Sequence, residues 1–365
     1  MTLQSDLVHS RLSAAVAARL ATIAAGDRAA TPAPEAIGPG PDCSAWTALR
    51  ELGAAGFDAP AAAGGLELGL TVSASVAGEL GRAGLYAPYL AVSLAIDAAA
   101  AGEAEVLPAL AAGDIAVLAA GFESMEFESA LHASQVDGLG WSLEGSIPAE
   151  PCRADAVLLP VRLDGTDDLG LVLIGVDVLK WTVLPNAPGA TGVAAVPGVL
   201  CEPAALLCRL APETGCAEGP LGRARVRQAA YLAGLAHGAL AATVTHAGTR
   251  RQFGQRLRDF QAVQFRLAEA HVSVEAVELL VKRAAWLADA ERRFALEATE
   301  ALALAAEVAL SVTRLAMQVG GARAMTSQLP AHRYYLRTRL EAVRLGRPDQ
   351  LWRAAGSRRM TDRMG

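Results

Sequence analysis

The chain has little lysine, little cysteine and few aromatic residues, and it carries no excess of positive charge. Its 365 residues include 32 basic and 38 acidic side chains, which gives a formal net charge of −6. Proteins that bind nucleic acid normally display a basic face, so this composition argues against such a partner. Lysine occurs only at Lys180 and Lys282, so nearly all the positive charge is arginine. A local cluster of arginines therefore needs its own explanation.

Cysteine usage and hydropathy restrict the compartment. The five cysteines are odd in number and contain no C-x-x-C pair, which predicts reduced thiols and disfavours structural zinc. No unbroken apolar run approaches the roughly 20 residues that span a bilayer. The first residues show no basic flank followed by an apolar core, the pattern of a secretory leader. We therefore expect a soluble, cytoplasmic chain that contacts neither membrane nor nucleic acid.

Phosphate-binding loops are also missing. The sequence contains no G-x-x-x-x-G-K-[ST] loop, and its glycine pattern GLGWSLEG lies in a β-rich stretch and does not open a helix. Nucleotide-binding motifs of the phosphate-loop and Rossmann types need a strand, then the glycines, then a helix. A phosphate would have to be bound by other means.

The chain has three successive regions that differ in their pattern of apolar residues. Apolar residues at three- and four-residue spacings predict a helical domain over 1–115. Short β-rich runs separated by turn residues predict a compact antiparallel β domain over 116–218. The helical period then returns and predicts a helical bundle over 219–365, in which 260–290 lacks Gly and Pro and could form one helix about 46 Å long. The expected fold class is α+β, mainly α.

One short segment, TRRQFGQ at 249–255, combines two arginines with an amide and an aromatic ring. A guanidinium group keeps its charge and binds phosphate or carboxylate at two points. Such a segment could therefore hold an anion. It could equally be a solvated helix end with Phe253 tucked into the core, and the residues of this segment alone leave both interpretations open.

Several segments resemble the acyl-CoA dehydrogenase family. WTALRELGAAGFDAPAAAGGLELGL (46–70) and the following ELGRAG are similar to its W-x-x-L-x-E-x-G…P-x-x-x-G-G and E-E-L-G-R patterns. DGLGWSLEG resembles its D-G-x-x-x-L-x-G strand, and RRQFGQRLRDFQAVQFRLAEA (250–270) resembles its specific R-x-Q-F-G…F-Q-x-x-Q-x-x-L-A signature. The resemblance implies a helical domain, a β domain and a C-terminal four-helix domain, with FAD-dependent α,β-dehydrogenation of an acyl thioester.

The resemblance also implies which residues contact FAD. In the family, the Arg, Gln and Phe of R-x-Q-F-G touch the pyrophosphate and adenosine portion of an FAD held mainly by another subunit. Those positions are Arg250, Gln252 and Phe253 here. The family's Q-x-x-G-G-x-G segment contacts the same FAD and aligns with QVGGARA, which places Gln318 and Gly321 in register.

The departures from the family concern the reaction itself. Dehydrogenation needs a carboxylate to remove the α-proton of the thioester while a hydride passes to the flavin. By alignment the family's Glu falls on Leu345, and the alternative position used by some relatives falls on Ala224, so neither position can accept a proton. Two glycines of the second FAD segment are replaced by Ala322 and Ala324.

A second departure affects the flavin ring. GFESMEFES (121–129) stands where the family has T-E-P…G-S-D, and GSIPAEPCRAD (145–155) stands where it has G-x-K followed by W-x-T/S. These family segments hold the flavin ring and line the acyl site. The resemblance therefore implies a chain that keeps the adenine side of the cofactor site and loses the ring side.

Three interpretations follow. The first is a subunit without its own base that completes an FAD site with a second family member, as a heterotetramer acting on acyl-CoA or acyl-carrier thioesters in lipid or steroid catabolism. The second is a flavin-free protein of the same fold with a scaffolding role or another reaction. The third is a homomeric dehydrogenase with a displaced base at Glu341 or Asp349, four residues before and after Leu345. Both acids could also be solvated charges paired with nearby arginines.

Overall fold

The computed structural model describes residues 3–26, 44–123, 131–137, 139–149, 154–166, 168–183, 192–210, 219–326 and 328–364. The helices in these ranges are α1 (Leu3–Gly26), α2 (Ser44–Glu51), α3 (Leu70–Arg82), α4 (Tyr89–Ala101), α5 (Leu107–Ala112), α6 (Pro220–Thr249), α7 (Gln261–Asp289), α8 (Ala295–Gly320), α9 (Ala331–Glu341) and α10 (Pro348–Met364). The strands are β1 (Val117–Ala119), β2 (Leu131–Val136), β3 (Gly140–Ala149), β4 (Ala156–Leu163), β5 (Leu169–Gly175), β6 (Lys180–Val183), β7 (Gly192–Cys201), β8 (Leu206–Leu210), β9 (Arg251–Gln252) and β10 (Gln255–Arg256). The Pro- and Gly-rich segment ATPAPEAIGPGPD (30–42) lies outside the described residues.

Helix α6 lies at the centre of the molecule and packs against α3, α4, α7, α8 and α9. Its first residue is Pro220, whose fixed φ and missing N–H suit the first turn of a helix. The contact with α3 is close because glycines face each other. A Cβ on Gly81 would lie 2.1 Å from the carbonyl oxygen of Tyr231, and one on Gly234 would lie 2.0 Å from that of Gly78. Gly81, the first glycine of ELGRAG, is therefore required because the backbones of two helices are in contact there.

The middle of the chain forms one mixed sheet with the strand order β6-β7-β3-β2-β4-β5-β8, and β1 pairs with β4. The expectation of a purely antiparallel unit is wrong in two places, because β4 pairs in parallel with both β1 and β2. Strands β2 to β5 alternate in direction along the chain. Strands β2 and β4 therefore run in the same direction, and their pairing is parallel. Strands β2, β7 and β8 had no clear sequence signal.

Strand β4, AVLLPVRL, is buried at every residue except Arg162, as expected for a central strand whose sequence is otherwise apolar. Strand β2, LHASQV, buries only Leu131 and Ala133 and exposes the residues between them, so its short alternating pattern was easily missed. The inward side chains of these strands form a separate apolar core for the sheet.

Long helices form the C-terminal part, and α7 spans the region for which one long helix was expected. One stretch, Ala295–Met325, is long and apolar enough to cross a membrane by length and composition, although half of its most apolar window is buried. It comprises α8 and the turn that follows, and α8 packs against α6, α7, α9 and α10. Glu307 and Arg314 interrupt it, so it is not an unbroken apolar run. Burial inside a helical bundle accounts for its hydropathy.

Candidate cofactor and substrate site

The segment TRRQFGQ forms the end of α6 and a tight hairpin. Strands β9 and β10 pair with each other, and Phe253 and Gly254 occupy the turn with φ values of 50° and 83°. A two-residue turn with both φ values positive favours glycine at these positions, so Phe253 is held in a backbone conformation that is unfavourable for it. Its ring is 93% exposed. The interpretation that places Phe253 in the core is therefore wrong, and its only aromatic contact among the described residues is edge-on to Phe260 at 6.5 Å.

Two arginines converge on His246 near this hairpin. Arg250 follows α6, and its backbone N–H donates to the carbonyl oxygen of His246 at 2.8 Å. Arg323 lies in the turn after α8. Burial lowers the pKa of His246, and the charges of Arg323 and Arg250 lower it further. Neither guanidinium forms an ion pair or a side-chain hydrogen bond with any described residue. The site therefore has positive charge without a matching carboxylate, which favours an anion.

Gln318 and Gly321 lie at the end of α8. The Oε1 atom of Gln318 accepts a hydrogen bond from Arg266 of α7 at 2.7 Å, so its amide group is already oriented. Gly321 has a φ of 57° and open space where a Cβ would stand, so its backbone can be approached closely. Ala324 is fully buried, whereas Ala322 is exposed. Of the two alanines, only the methyl group of Ala322 could stand in the way of a ligand.

The ends of α6 and α8 are neighbours in the fold. His246 and Gly320 line one small cavity of about 10 Å³, which places Arg250 and Gly321 on adjoining segments. Within the described ranges, no hydrogen bond or ring contact joins Gln252 or Phe253 to Gln318. Sequence analysis did not single out His246 or Arg323, although Arg323 lies within QVGGARA and could have been found there.

The two expected base positions, Leu345 and Ala224, line the same cavity of about 40 Å³ between α4, α6 and the end of α9. Leu345 has a φ of 61°, and its N–H donates to the carbonyl oxygen of Phe122 at 2.6 Å. Its own carbonyl oxygen accepts from Nε of Arg225 at 3.3 Å. Two backbone contacts thus hold Leu345 in an unusual conformation with an apolar side chain facing the cavity. Positions far apart in sequence meet there, as one acyl-binding site would require.

Glu341 reaches this cavity, but arginines surround its carboxylate. Arg337 donates to Oε1, and Arg344 lies 3.2 Å from Oε2. Gln228 donates to Oε2 at 2.8 Å, and Arg337 also stacks 3.5 Å from the ring centre of Tyr86. Burial by itself would raise the pKa of Glu341, but the charges of Arg344 and Arg337 and the hydrogen bond from Gln228 hold it below the ordinary value. A carboxylate held in this way is a weak base.

The other acidic candidates differ in burial. Asp349 is 58% exposed, lies 3.4 Å from Arg347 and does not line the cavity. Glu123 follows Phe122 directly, and burial raises its pKa, although Arg344 opposes that effect. Its Oε2 atom is buried and has no hydrogen-bond partner among the described residues. Sequence analysis did not single out Glu123, the third residue of GFESMEFES, the stretch that stands in place of T-E-P. Residues 124–130, which include the remainder of that stretch, and residues 150–153 lie outside the described ranges.

Comparison with known proteins identifies the family of the C-terminal domain. Residues 215–358 match the family model for the C-terminal domain of acyl-CoA dehydrogenases. The chain has an acyl-CoA dehydrogenase fold, with a C-terminal domain of that family. The resemblance inferred from the sequence is confirmed. The bovine (Bos taurus) mitochondrial short-chain specific acyl-CoA dehydrogenase is 37% identical over 123 residues, which are 34% of this chain and 30% of the relative. The matched part is thus under a third of that relative's length.

Solved acyl-CoA dehydrogenase folds match the whole chain. The ChsE4-ChsE5 complex of Mycobacterium tuberculosis has a TM-score of 0.77 at 23% identity, with 98% of this chain and 97% of the other covered. A glutaryl-CoA dehydrogenase of Mycobacterium smegmatis in complex with FADH2 has a TM-score of 0.78 at 18% identity, with 98% and 94% covered. At these identities the similarity concerns the acyl-CoA dehydrogenase fold and not the activity.

Proposed function

We propose that this chain completes the FAD site of a second acyl-CoA dehydrogenase-type subunit and supplies no catalytic base of its own. The observation that carries the proposal is the cationic site at the hairpin, where Arg250 and Arg323 have no counter-charge among the described residues and Phe253 stands in solvent. The complex would dehydrogenate an acyl thioester of CoA or of a carrier protein. Leu345 and Ala224 at the expected base positions support a division of labour between two chains.

The described residues fit the anionic half of FAD. Arg250 and Arg323 would neutralise the diphosphate, and the exposed face of Phe253 would contact the adenosine. Gln318, oriented by Arg266, and the open backbone at Gly321 would complete the contact. When bound, FAD supplies the acceptor for a hydride. On this chain the residues bind and orient, and none of them moves a proton.

The environment of the acids supports inactivity of the chain alone. Glu341 lines the cavity, but its carboxylate is bound by two arginines and an amide, and its lowered pKa opposes proton abstraction. Asp349 stands on the surface beside Arg347. Loss of a positioned base typically slows catalysis by about 10²- to 10⁴-fold. A homomeric enzyme with a displaced base at either position is therefore disfavoured.

The proposed partner is a second subunit of the same fold that bears the Glu and the flavin-ring contacts, in an assembly of two copies of each chain. ChsE4-ChsE5, which shares the fold, is described as a complex of two different chains, and this supports a hetero-oligomer here. A role in lipid or steroid catabolism would follow from such a partner. Because the alignments with curated relatives cover about a third of the chain, substrate and partner remain proposals.

One observation favours a second candidate, a flavin-free protein of this fold. Ala322 is exposed at a position where the family has glycine, and its methyl group would stand beside the diphosphate. A scaffold, or an enzyme of another reaction class, would need no close approach at this point. The two arginines beside His246 favour the first candidate, because together they would neutralise a diphosphate.

The experiment is co-expression with a Glu-bearing relative, followed by measurement of bound FAD and of assembly. Arg250→Ala should weaken FAD binding by about 2–5 kcal/mol, because a buried charge pair loses one member. Arg251→Ala is the matched control, since Arg251 is an exposed neighbour on β9 with no assigned ligand. Both variants should still assemble, because neither removes an apolar contact between subunits.

Three outcomes decide between the candidates. The lone chain should be purified nearly colourless and should show no turnover with any acyl-CoA. A yellow lone chain with about one flavin per chain, whose turnover is abolished by Asp349→Asn, would restore the homomeric enzyme. Equal FAD content in wild-type and Arg250→Ala complexes would refute the shared site and favour the flavin-free protein.

A further inference from the structure

His246 is a titratable side chain in the cationic site at the end of α6, and the proposed function gives it no role. It lies one helical turn before Arg250, so the two side chains share one side of the helix. His246 also lines the cavity of about 10 Å³ together with Gly320, the last residue of α8. Arg323 follows in the turn after α8. The site therefore combines two permanent cations with one group whose charge depends on pH.

The imidazole ring of His246 is available to a ligand. Among the described residues, no side chain or backbone group forms a hydrogen bond with its ring nitrogens. The carbonyl oxygen of His246 accepts from the N–H of Arg250 at 2.8 Å and from the hydroxyl of Thr249 at 3.1 Å. Thr243, which lines the same cavity, already donates its hydroxyl to the carbonyl oxygen of Ala239 at 2.6 Å. Of the described residues that line this cavity, His246 is the one whose side chain can gain a proton and bind an anion.

Positive charge predominates around His246. Besides Arg250, the elements packed around the end of α6 bring the following charged or titratable groups to it: Arg258 and Asp259 in the turn before α7, Arg266 on α7, Arg323 after α8 and His332 on α9. Asp259, the carboxylate among them, lies 3.8 Å from Arg258, and Arg266 donates to Gln318 at 2.7 Å. Burial and the charges of Arg323 and Arg250 hold the pKa of His246 below its ordinary value. In the site without an anion, the neutral ring is therefore favoured.

A bound diphosphate reverses this preference. Its negative charge, placed between Arg250 and Arg323, offsets the repulsion that those arginines exert on a protonated ring. The charged ring can then donate an N–H to a phosphate oxygen. We propose that His246 takes up a proton from water when the diphosphate binds and becomes the third cation of the site. This inference rests on the proposed function, and it states how pH regulates the same site.

The sign of the effect follows from two pKa values of the same ring. Without the anion the pKa of His246 lies below its ordinary value, and the bound diphosphate raises it. At a pH below both values the ring is charged in either state and contributes its full attraction. This contribution falls as the pH rises from the lower value to the higher one, and it is absent above both. Affinity for the diphosphate should therefore decrease with rising pH, by about tenfold if the two values differ by about one unit.

The first test is calorimetric titration of the lone chain with ADP-ribose. This probe carries adenosine and a diphosphate diester, and it lacks both the flavin and a terminal phosphate that would itself titrate near pH 6. The wild type should bind it about tenfold more weakly at pH 8 than at pH 5, and buffers of different ionisation enthalpy should report proton uptake.

His246→Gln keeps a polar side chain that does not titrate, so it should bind ADP-ribose equally at both pH values and take up no proton. His332→Gln is the matched control, since His332 is the histidine of the neighbouring helix α9, and it should keep the wild-type pH dependence. A wild type whose affinity does not change with pH would overturn the proposal. So would a His246→Gln variant that keeps the dependence, or a wild type that does not bind millimolar ADP-ribose.

The second test follows the imidazole itself by NMR of the chain labelled with carbon-13 histidine. The signal that disappears in His246→Gln belongs to His246, and its titration midpoint should move to higher pH when ADP-ribose is added. An unchanged midpoint with ADP-ribose bound would overturn the proton uptake, whatever the FAD content of the co-expressed complex. A co-expressed complex that holds no FAD would refute the proposed function instead, and both measurements on the lone chain would still decide whether His246 takes up a proton.

Discussion

Replacing Asp97 with alanine should be among the most destabilising single changes in the helical part of the protein. Asp97 on α4 accepts hydrogen bonds from Arg227 at 2.5 Å and from Arg223 at 2.8 Å. Asp58 accepts from the same two arginines at 2.5 and 2.6 Å. Two cations and two anions from distant segments thus form one buried network, which ties α4 and the segment before α3 to α6.

The magnitude follows from the burial of Arg227, whose side chain is 2% exposed. Burial by itself would lower the pKa of Arg227, but the carboxylates of Asp97 and Asp58 raise it above the ordinary value, so the guanidinium stays charged. Removing Asp97 leaves this buried charge with Asp58 alone, which Arg223 also contacts. Breaking a buried pair in this way costs about 3–5 kcal/mol. The remaining carboxylate places the expected loss near the lower end, at about 3 kcal/mol.

The assay is the free energy of unfolding from urea titration followed by circular dichroism. Glu51→Ala is the matched control, because Glu51 pairs with Arg19 at 2.7 Å but both side chains are more than half exposed, at 55% and 51%. An exposed pair contributes about 0–1 kcal/mol. Asp97→Asn keeps the size of the side chain and should lose less than the alanine variant. Equal losses for Asp97→Ala and Glu51→Ala would refute the reasoning from burial.

Two further changes test the site residues. Because the pKa of Glu341 lies below its ordinary value, its charge stabilises the fold above about pH 4.5 and this contribution is lost as the pH falls through the folded-state pKa. Glu341→Gln should therefore cost about 3 kcal/mol at pH 7 and progressively less below pH 4.5, and a loss that does not change with pH would contradict the arginine pairing. Phe253→Gly should leave the stability of the lone chain unchanged or raise it by up to about 1 kcal/mol, since it relieves a positive φ and removes no core contact. In the complex it should reduce FAD content, and a large loss of stability would show that the ring serves the fold.

Several features could be predicted from the sequence because they depend on local periodicity and local turn chemistry. The absence of Gly and Pro and the apolar spacing of 260–290 indicated one long helix, and α7 is that helix. Apolar β-rich runs indicated β3, β4 and β5 because an inward-facing strand needs such residues. The motif at Arg250, Gln252 and Phe253 was visible because the three residues are neighbours in the chain. Their role in binding FAD remains a prediction.

The direction of the strands could not be predicted in the same way. Each strand is a local element, but β4 pairs with β2 and not with β3, which precedes it in the chain. No residue in either strand indicates this choice of partner. The buried network of Arg227 is likewise invisible in the sequence, since Asp58 and Asp97 are ordinary acidic residues until α6 brings two arginines between them.

The difference between the two acids depended on tertiary structure. The sequence shows Glu341 and Asp349 at equal distances from Leu345 and offers no reason to separate them. In the fold, Glu341 is buried among Arg337 and Arg344, whereas Asp349 is exposed in the first turn of α10. The pKa of a carboxyl group depends on its solvation and on charges within a few ångströms. The two arginines are near Glu341 in the chain, but its burial and the hydrogen bond from Gln228 on α6 come from the fold. The residue types and their order determined which elements form and which side chains could carry charge. Packing determined which of those charges are paired within the chain and which remain unpaired and able to bind a ligand.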